Sequence, residues 1–164
     1  MSNEPHSFRE RGGTWVVIQS LLMTLVIALG VVFHGDWTNG LLIATGAALF
    51  FVGGYFGIAG VLVLGRSRTP YPRPCAGSEL VQRGIYARVR HPLYTSVMLA
   101  SLGWALLWQS GSSLLATLAI VPFFQAKARR EERWLREAFP GYDDYARRVP
   151  RFIPRFRPAS KVRL

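Results

Sequence analysis

The stretch "PLYTSVMLASLGWALLWQSGSSLLATLAIVPFFQA", residues 92–126, decides the fold, because its 35 consecutive residues carry no charge. As a single helix it would be about 52 Å long, well beyond the roughly 30 Å hydrocarbon core of a membrane. We therefore expect it to turn at "QSGSS", residues 109–113, giving helices near 92–108 and 113–126. The second helix is short for a membrane span unless it continues into the charged "KARREERWLREAF" that follows.

Two more uncharged stretches, residues 15–33 and 41–64, come earlier in the chain. Each exceeds the roughly 18 residues that mark a membrane-spanning helix. The first follows two arginines but lacks a signal-peptide cleavage site, so we expect it to be retained. Together these stretches predict an all-α fold: an integral membrane helical bundle of about four transmembrane helices, forming a single domain over residues 1–164.

The charge pattern gives this bundle an orientation. The chain has 20 Lys and Arg against nine Asp and Glu, for a net charge of +11. All the basic residues lie in the N-terminal tail, in the loop 65–91 and in the segment 127–164, while the turns 34–40 and 109–113 have none. The positive-inside rule then predicts that both termini are cytoplasmic. We expect the membrane to be a bacterial inner membrane. A membrane surface accounts for the basic excess, so we expect no nucleic-acid partner.

The second uncharged stretch contains Gly53 and Gly57, four residues apart. This small-xxx-small spacing allows two membrane helices to approach closely. We expect these glycines to serve helix packing.

The stretch "GIYARVRHPLYTS", residues 84–96, stands at the entry to the third helix. Pro92 suits the first helical position, where its missing N–H costs nothing, so Arg90 and His91 flank a helix N-terminus. Free N–H groups and the helix dipole attract anions there, and Tyr94 shares a helix face with His91. The alternative is structural: Arg90 reaches lipid phosphates and His91 caps the helix.

Two adjacent glutamates follow the fourth apolar stretch. On a helical wheel Glu131 falls inside the apolar arc and Glu132 on its edge. A carboxylate on a buried helix face is costly unless a cation pairs with it. The alternative is ordinary ion pairs with arginines one turn away, which is adequate for Glu132 but weaker for Glu131.

Three separated elements now occur in order: "GIYARVRHPLY", "EERWL", and "YDDYARRVP". With the proline-rich approach "RTPYPRP", they cover roughly residues 68–156 and resemble the isoprenylcysteine carboxyl methyltransferase and phosphatidylethanolamine N-methyltransferase family. The chain departs from the family pattern after "HPLY", where Thr95 and Ser96 replace a residue followed by glycine, and at Pro140, where glycine is usual.

The resemblance implies an S-adenosylmethionine site at the cytoplasmic membrane edge, without a metal. The residues that it implies for the cofactor are Tyr86, Arg90, His91, Pro92, Tyr94, Glu131, Glu132 and Tyr145. Arg90 and His91 would suit the methionine carboxylate, and either glutamate the α-ammonium. The aromatic faces of Tyr86, Tyr94 or Tyr145 would suit the sulfonium and the adenine.

The resemblance thus implies methyl transfer, with Arg90, His91 and Glu131 nearest the chemistry. The acceptor is expected to be lipophilic, with a carboxylate, amine or thiol as its nucleophile. An amine must lose a proton, and His91 or a glutamate would then be a candidate base. Two other classes stay open: a membrane reductase of the sterol-reductase type using NADPH, and a non-catalytic membrane scaffold.

Overall fold

The computed structural model describes residues 7–36, 39–65 and 79–154, and within these ranges the chain is helical and has no strand. The elements are α1 Gly13–Val32, α2 Gly40–Leu64, a 3-10 turn Gly84–Ala87, α3 Pro92–Leu107, α4 Gly111–Ala138 and α5 Tyr142–Arg148. The predicted all-α class is confirmed for this part of the chain. The proline-rich segment, expected to be extended, lies in residues 66–78 and therefore outside the described residues.

The four long helices form an up-and-down bundle. At one end, the start of α3 meets the end of α2, where a Cβ on Gly60 would lie 2.9 Å from the Leu93 side chain. At the other end, the Gly35 N–H donates to the Trp108 carbonyl at 3.2 Å. α1 runs antiparallel to α4, since Ser110, which caps α4, donates its hydroxyl to the Leu29 carbonyl near the end of α1. The first turns of α3 and the second half of α4 therefore share one end of the bundle.

Glycines let α2 and α3 approach closely, as the small-xxx-small spacing predicts. A Cβ on Gly53 would lie 2.7 Å from the Ala100 backbone nitrogen, and one on Gly57 would lie 2.7 Å from the Ser96 Oγ. The Ser96 hydroxyl donates to the Gly53 carbonyl at 2.6 Å. Ser96, one departure from the family pattern, thus adds a hydrogen bond to a contact that small residues make possible.

The turn between α3 and α4 is shorter than the predicted "QSGSS". α3 ends at Leu107 and α4 begins at Gly111, so Ser113 lies inside the helix. Ser110 caps α4 by accepting a hydrogen bond from the Ser113 N–H at 3.2 Å. Serine is a favoured N-cap because its oxygen satisfies an otherwise unpaired N–H. The polar cluster that marks the turn therefore also starts the next helix.

α4 does continue through the charged segment, as the short-span argument requires. Its 28 residues correspond to about 42 Å, longer than a hydrocarbon core. By length and composition, α1 and α2 can each cross a membrane, whereas α3, with 16 residues, is a shorter apolar helix. Large apolar side chains face outward from these helices, including Leu21, Phe51, Leu62, Leu115 and Leu118.

Two small clusters hold the site end of the bundle together. The 3-10 turn and the residues just after it pack Ile85, Tyr86 and Val89 against Phe56 of α2. Gly84 opens this turn with φ at 59°, and a Cβ there would lie 2.7 Å from Val63, so glycine is required. A second cluster, formed by Tyr142, Tyr145 and Val149, packs against Leu80 and Leu135.

Candidate functional site

The C-terminal segment after α5 lies across the start of α3. Three hydrogen bonds hold it there: Arg90 N–H to Pro150 O at 2.9 Å, His91 N–H to Arg151 O at 3.1 Å, and Thr95 Oγ1 to Phe152 O at 2.8 Å. The backbone N–H groups of Arg90 and His91, which flank the start of α3, are therefore occupied by protein carbonyls. Pro92 sits at the first helical position as predicted. Thr95, another departure from the family pattern, fastens the C-terminal segment.

Glu132 is the centre of a buried ion-pair network. Arg151 binds both its oxygens, with Nε 2.8 Å from Oε1 and Nη2 2.7 Å from Oε2. The Arg90 Nη2 and the His91 Nε2 each lie 3.1 Å from Oε1. The residue is 1% exposed. One carboxylate thus joins α4, the approach to α3 and the C-terminal segment.

The network keeps Glu132 ionised. Burial acts to raise the pKa of Glu132, but hydrogen bonds from His91 and Arg151 and the charges of His91 and Arg90 outweigh it. The net pKa is lowered to about 2. The carboxylate is therefore an anion at any physiological pH, held by the protein's own cations.

The helical wheel placed the two glutamates in the wrong order of burial. Glu132, expected at the edge of the apolar arc, is the buried one, whereas the side chain of Glu131 is 24% exposed. The arginines that pair with Glu132 come from outside α4, not from one turn away. The wheel counted only apolar neighbours on the helix, and the C-terminal segment supplies the cover that buries Glu132.

Glu131 is held differently, by an aromatic hydroxyl. The Tyr94 hydroxyl donates to Glu131 Oε2 at 2.5 Å, and His91 Nδ1 lies 3.6 Å from the same oxygen. The rings of His91 and Tyr94 stack with centroids 5.1 Å apart and an interplanar angle of 5°. The Tyr94 ring also stacks on Phe124, with centroids 4.7 Å apart. His91 therefore stands between the two carboxylates, and Glu131 is the more accessible of them.

Tyr86 and Tyr145 are joined to each other beside these glutamates. The Tyr145 hydroxyl donates to the Tyr86 carbonyl at 2.7 Å, and both residues are buried. Burial first, and then the charge of Glu131, raises the pKa of the Tyr86 phenol. Tyr86 thus lies within the field of Glu131, whereas the hydroxyl of Tyr145 is used to fasten α5.

Two buried donors at this site have no hydrogen-bond partner among the described residues: the Arg90 Nε and the Tyr142 hydroxyl. Burial raises the pKa of the Tyr142 phenol, followed by the charge of Glu132, while the charge of Arg90 acts against it. The Tyr142 hydroxyl is therefore close enough to Arg90 for the charge of that guanidinium to act on it. Buried donors left unpaired cost free energy, so an acceptor atom from a ligand would stabilise both.

The structure adds site residues that the sequence reasoning missed. Arg151 was counted only as one of the basic residues of segment 127–164, although a buried glutamate required a cation. Tyr142 was not among the residues expected to bind the cofactor. Lys127 was counted only as a cytoplasmic charge, and it is 3% exposed, with its Nζ 2.5 Å from Gln19 Oε1 of α1. Of these, only Arg151 had a usable signal, namely the unpaired carboxylate.

The predicted site residues thus lie together at one end of the bundle. There the start of α3, the second half of α4 and the C-terminal segment surround the carboxylates of Glu131 and Glu132. The chain belongs to the phospholipid methyltransferase family, whose model matches residues 41–141, more than half of the chain. The resemblance to the isoprenylcysteine and phosphatidylethanolamine methyltransferase group is confirmed.

Individual relatives fall into two sets. The cobalt-zinc-cadmium resistance protein CzcN of Cupriavidus metallidurans is 30% identical over 151 residues, covering 90% of this chain and 65% of the relative. The nickel-cobalt-cadmium resistance protein NccN of Alcaligenes xylosoxydans is also 30% identical, covering 66% of its own length. The protein-S-isoprenylcysteine O-methyltransferase of Schizosaccharomyces pombe is 40% identical over 77 residues, 46% of this chain and 33% of that protein. The chain therefore spans about two thirds or less of these relatives.

Proposed function

We propose that this protein is an S-adenosylmethionine-dependent methyltransferase of a bacterial inner membrane that acts on a lipophilic acceptor. One observation carries the proposal: Glu131, fixed by Tyr94 and adjoining His91, remains partly exposed at the polar end of an apolar bundle. Membership of the phospholipid methyltransferase family supports the class of reaction.

The residues present fit the cofactor. Glu131 uses Oε2 for Tyr94, and its carboxylate is the accessible anion for the α-ammonium. The unpaired Arg90 Nε and Tyr142 hydroxyl supply donors suited to the methionine carboxylate. Glu132, fully engaged by Arg90, His91 and Arg151, is assigned a positioning role. Tyr145 is assigned the same role, because its hydroxyl fastens α5.

The bound cofactor would supply an electrophilic methyl group on a sulfonium. The protein's contribution is to orient the reactants and to exclude water. The stack of His91, Tyr94 and Phe124 gives the site one rigid wall. Alignment in a dry, pre-organised site is the main source of rate in such displacements.

An apolar cavity supports a lipophilic acceptor. It has a volume of about 320 Å³ and lies between α1, α2 and α3. Its walls are Met23, Val26, Ile27, Phe50, Ser96, Val97, Ala100, Ser101 and Trp104. Val97 lies one helical turn beyond Tyr94, so the cavity adjoins the polar end. Relative to water, a hydrocarbon tail gains about 0.8 kcal/mol for each CH₂ that it buries in this cavity or in the surrounding bilayer.

The proposed topology places four helices in the membrane, with the site, both termini and the segment 127–164 on the cytoplasmic side. It rests on the basic residues, which all lie outside the two turns at the opposite end. Two bacterial relatives are named for metal resistance. The proposed chemistry rests on the site residues and the family, and not on those names.

A ligand-induced stability shift tests the proposal against the reductase and scaffold alternatives. The purified protein in detergent is heated with S-adenosylhomocysteine or with NADPH, because only a ligand that binds the native state raises the unfolding temperature. We expect S-adenosylhomocysteine alone to raise it. A shift with NADPH alone would favour a reductase, and a shift with neither would favour a scaffold.

A further inference from the structure

Lys127 is a buried cation that the proposed cofactor site does not use. It lies on α4 one turn before Glu131 and is 3% exposed. Its Nζ donates to Gln19 Oε1 at 2.5 Å and lies 5.2 Å from the centre of the Tyr94 ring. An ammonium has three donors, and among the described residues no carboxylate lies within ion-pair distance of this one. Burial lowers the pKa of Lys127 and the charge of Glu131 acts against that shift, so a further anion beside this ammonium would stabilise its charged form.

The two contacts of Lys127 place it between the cavity and the carboxylates. Gln19 is one turn from Met23 on α1, and its amide nitrogen lies 3.8 Å from the Met23 sulfur, which lines the cavity. Tyr94 is hydrogen-bonded to Glu131. The order is therefore apolar cavity, then Lys127, then Glu131 with His91.

We propose that Lys127 binds the anionic head of the methyl acceptor, so that this protein methylates a lipophilic carboxylate in preference to an amine. The inference rests on the proposed methyltransferase function. The acceptor's tail occupies the α1–α2–α3 cavity. Its carboxylate is an anion that accepts hydrogen bonds, so the ammonium of Lys127 attracts it. A protonated amine would meet a like charge at the same place.

The reaction then balances without a base. A carboxylate oxygen forms a bond to the methyl carbon, the carbon–sulfur bond breaks, and its electron pair stays on sulfur. The products are a neutral methyl ester and a neutral thioether, and no proton moves. This agrees with a site in which His91 contacts two carboxylates and Glu131 is held by Tyr94. Lys127 binds and orients the substrate.

The test uses two photoreactive probes that share the same dodecyl chain with a diazirine at its end. One probe has a carboxylate head and the other an amine head. The full-length protein in lipid vesicles, saturated with S-adenosylhomocysteine, is irradiated, and labelling of cavity residues is measured by mass spectrometry. We expect the carboxylate probe to label the cavity and the amine probe to label it at least about tenfold less. Equal labelling, or preference for the amine, would overturn the proposal.

Variants assign the preference to Lys127. Lys127→Met should reduce carboxylate-probe labelling about tenfold or more, and Lys127→Arg should retain most of it. Arg129→Met, which removes an exposed cation from the same helix, is the matched control and should leave labelling unchanged. S-adenosylhomocysteine affinity should be the same in all three variants. If that affinity is absent even in the unmodified protein, the proposed function fails instead, and if Lys127→Met keeps the preference, this inference fails alone.

Discussion

Arg151 and Glu132 form a two-point ion pair, with nitrogen–oxygen distances of 2.8 and 2.7 Å, that fastens the C-terminal segment to α4. Glu132 also holds Arg90 and His91 at the start of α3. The network therefore fixes the positions from which Glu131, Tyr94 and His91 face one another. Glu132 shapes the site without being its accessible anion.

The Glu132 network predicts that the stability of the protein falls at acidic pH, a decrease called here the acid limb. Because the folded-state pKa is lowered to about 2 from 4.5, the contribution is fully present above about pH 4.5 and is lost as pH falls towards 2. Its size is on the order of 3 kcal/mol. Thermal unfolding in detergent should therefore occur at lower temperature as pH falls from about 5 to about 3.

Glu132→Gln should flatten this limb and lower the stability at neutral pH, since it leaves two arginine charges short of a partner, a loss of about 3 to 5 kcal/mol. Glu137→Gln, at an exposed position on the same helix, is the control and should keep the acid limb. An unchanged acid limb in Glu132→Gln would show that other groups cause it.

The α2–α3 contact predicts opposite outcomes at adjacent glycines. Gly53→Ala should destabilise the protein by about 1 to 3 kcal/mol, because the new methyl would lie 2.7 Å from the Ala100 backbone nitrogen. Gly54→Ala should be neutral or stabilising, since nothing lies within 4 Å of its Cβ. The unfolding temperatures of the two variants are compared. Equal decreases in both would contradict the finding that Gly53, and not Gly54, faces α3.

The cavity predicts a limit on acceptor length. Ile27 lines it from α1, so Ile27→Trp should lower turnover of a dodecyl acceptor more than that of an octyl acceptor with the same nucleophile. Val31→Trp, one turn further along α1 and outside the cavity wall, should affect both equally. A uniform loss in Ile27→Trp would place the tail elsewhere.

The proposed orientation predicts which positions can be labelled from outside intact cells. In a Cys75→Ser background, cysteines at Asp36 and Gly111 should react with a membrane-impermeant maleimide, and those at Glu79 and Asp143 should react only after permeabilisation. Labelling of the cysteine at position 79 from outside intact cells would contradict the proposed orientation in the membrane.

The sequence was sufficient for the all-helical class and for the clustering of several predicted site residues. The absence of charge over residues 92–126 required a hairpin, and the motif order brought His91, Tyr94 and Glu131 together. It was insufficient for the partners, because those are set by contacts between distant segments. Arg151 pairs with Glu132 because the C-terminal segment lies against α4. Lys127 pairs with Gln19 because α1 lies against α4. Helical periodicity does not encode either of these arrangements.

Binding of S-adenosylhomocysteine to Glu131 variants tests the central claim most directly. Glu131→Gln keeps the shape of the side chain but removes the charge proposed for the cofactor ammonium, and Glu137→Gln makes the same change at an exposed position of α4. Calorimetric titration of the folded proteins should show affinity reduced about ten- to a hundredfold in Glu131→Gln and unchanged in Glu137→Gln. Equal affinity in the unmodified protein and Glu131→Gln would contradict the assignment of this site.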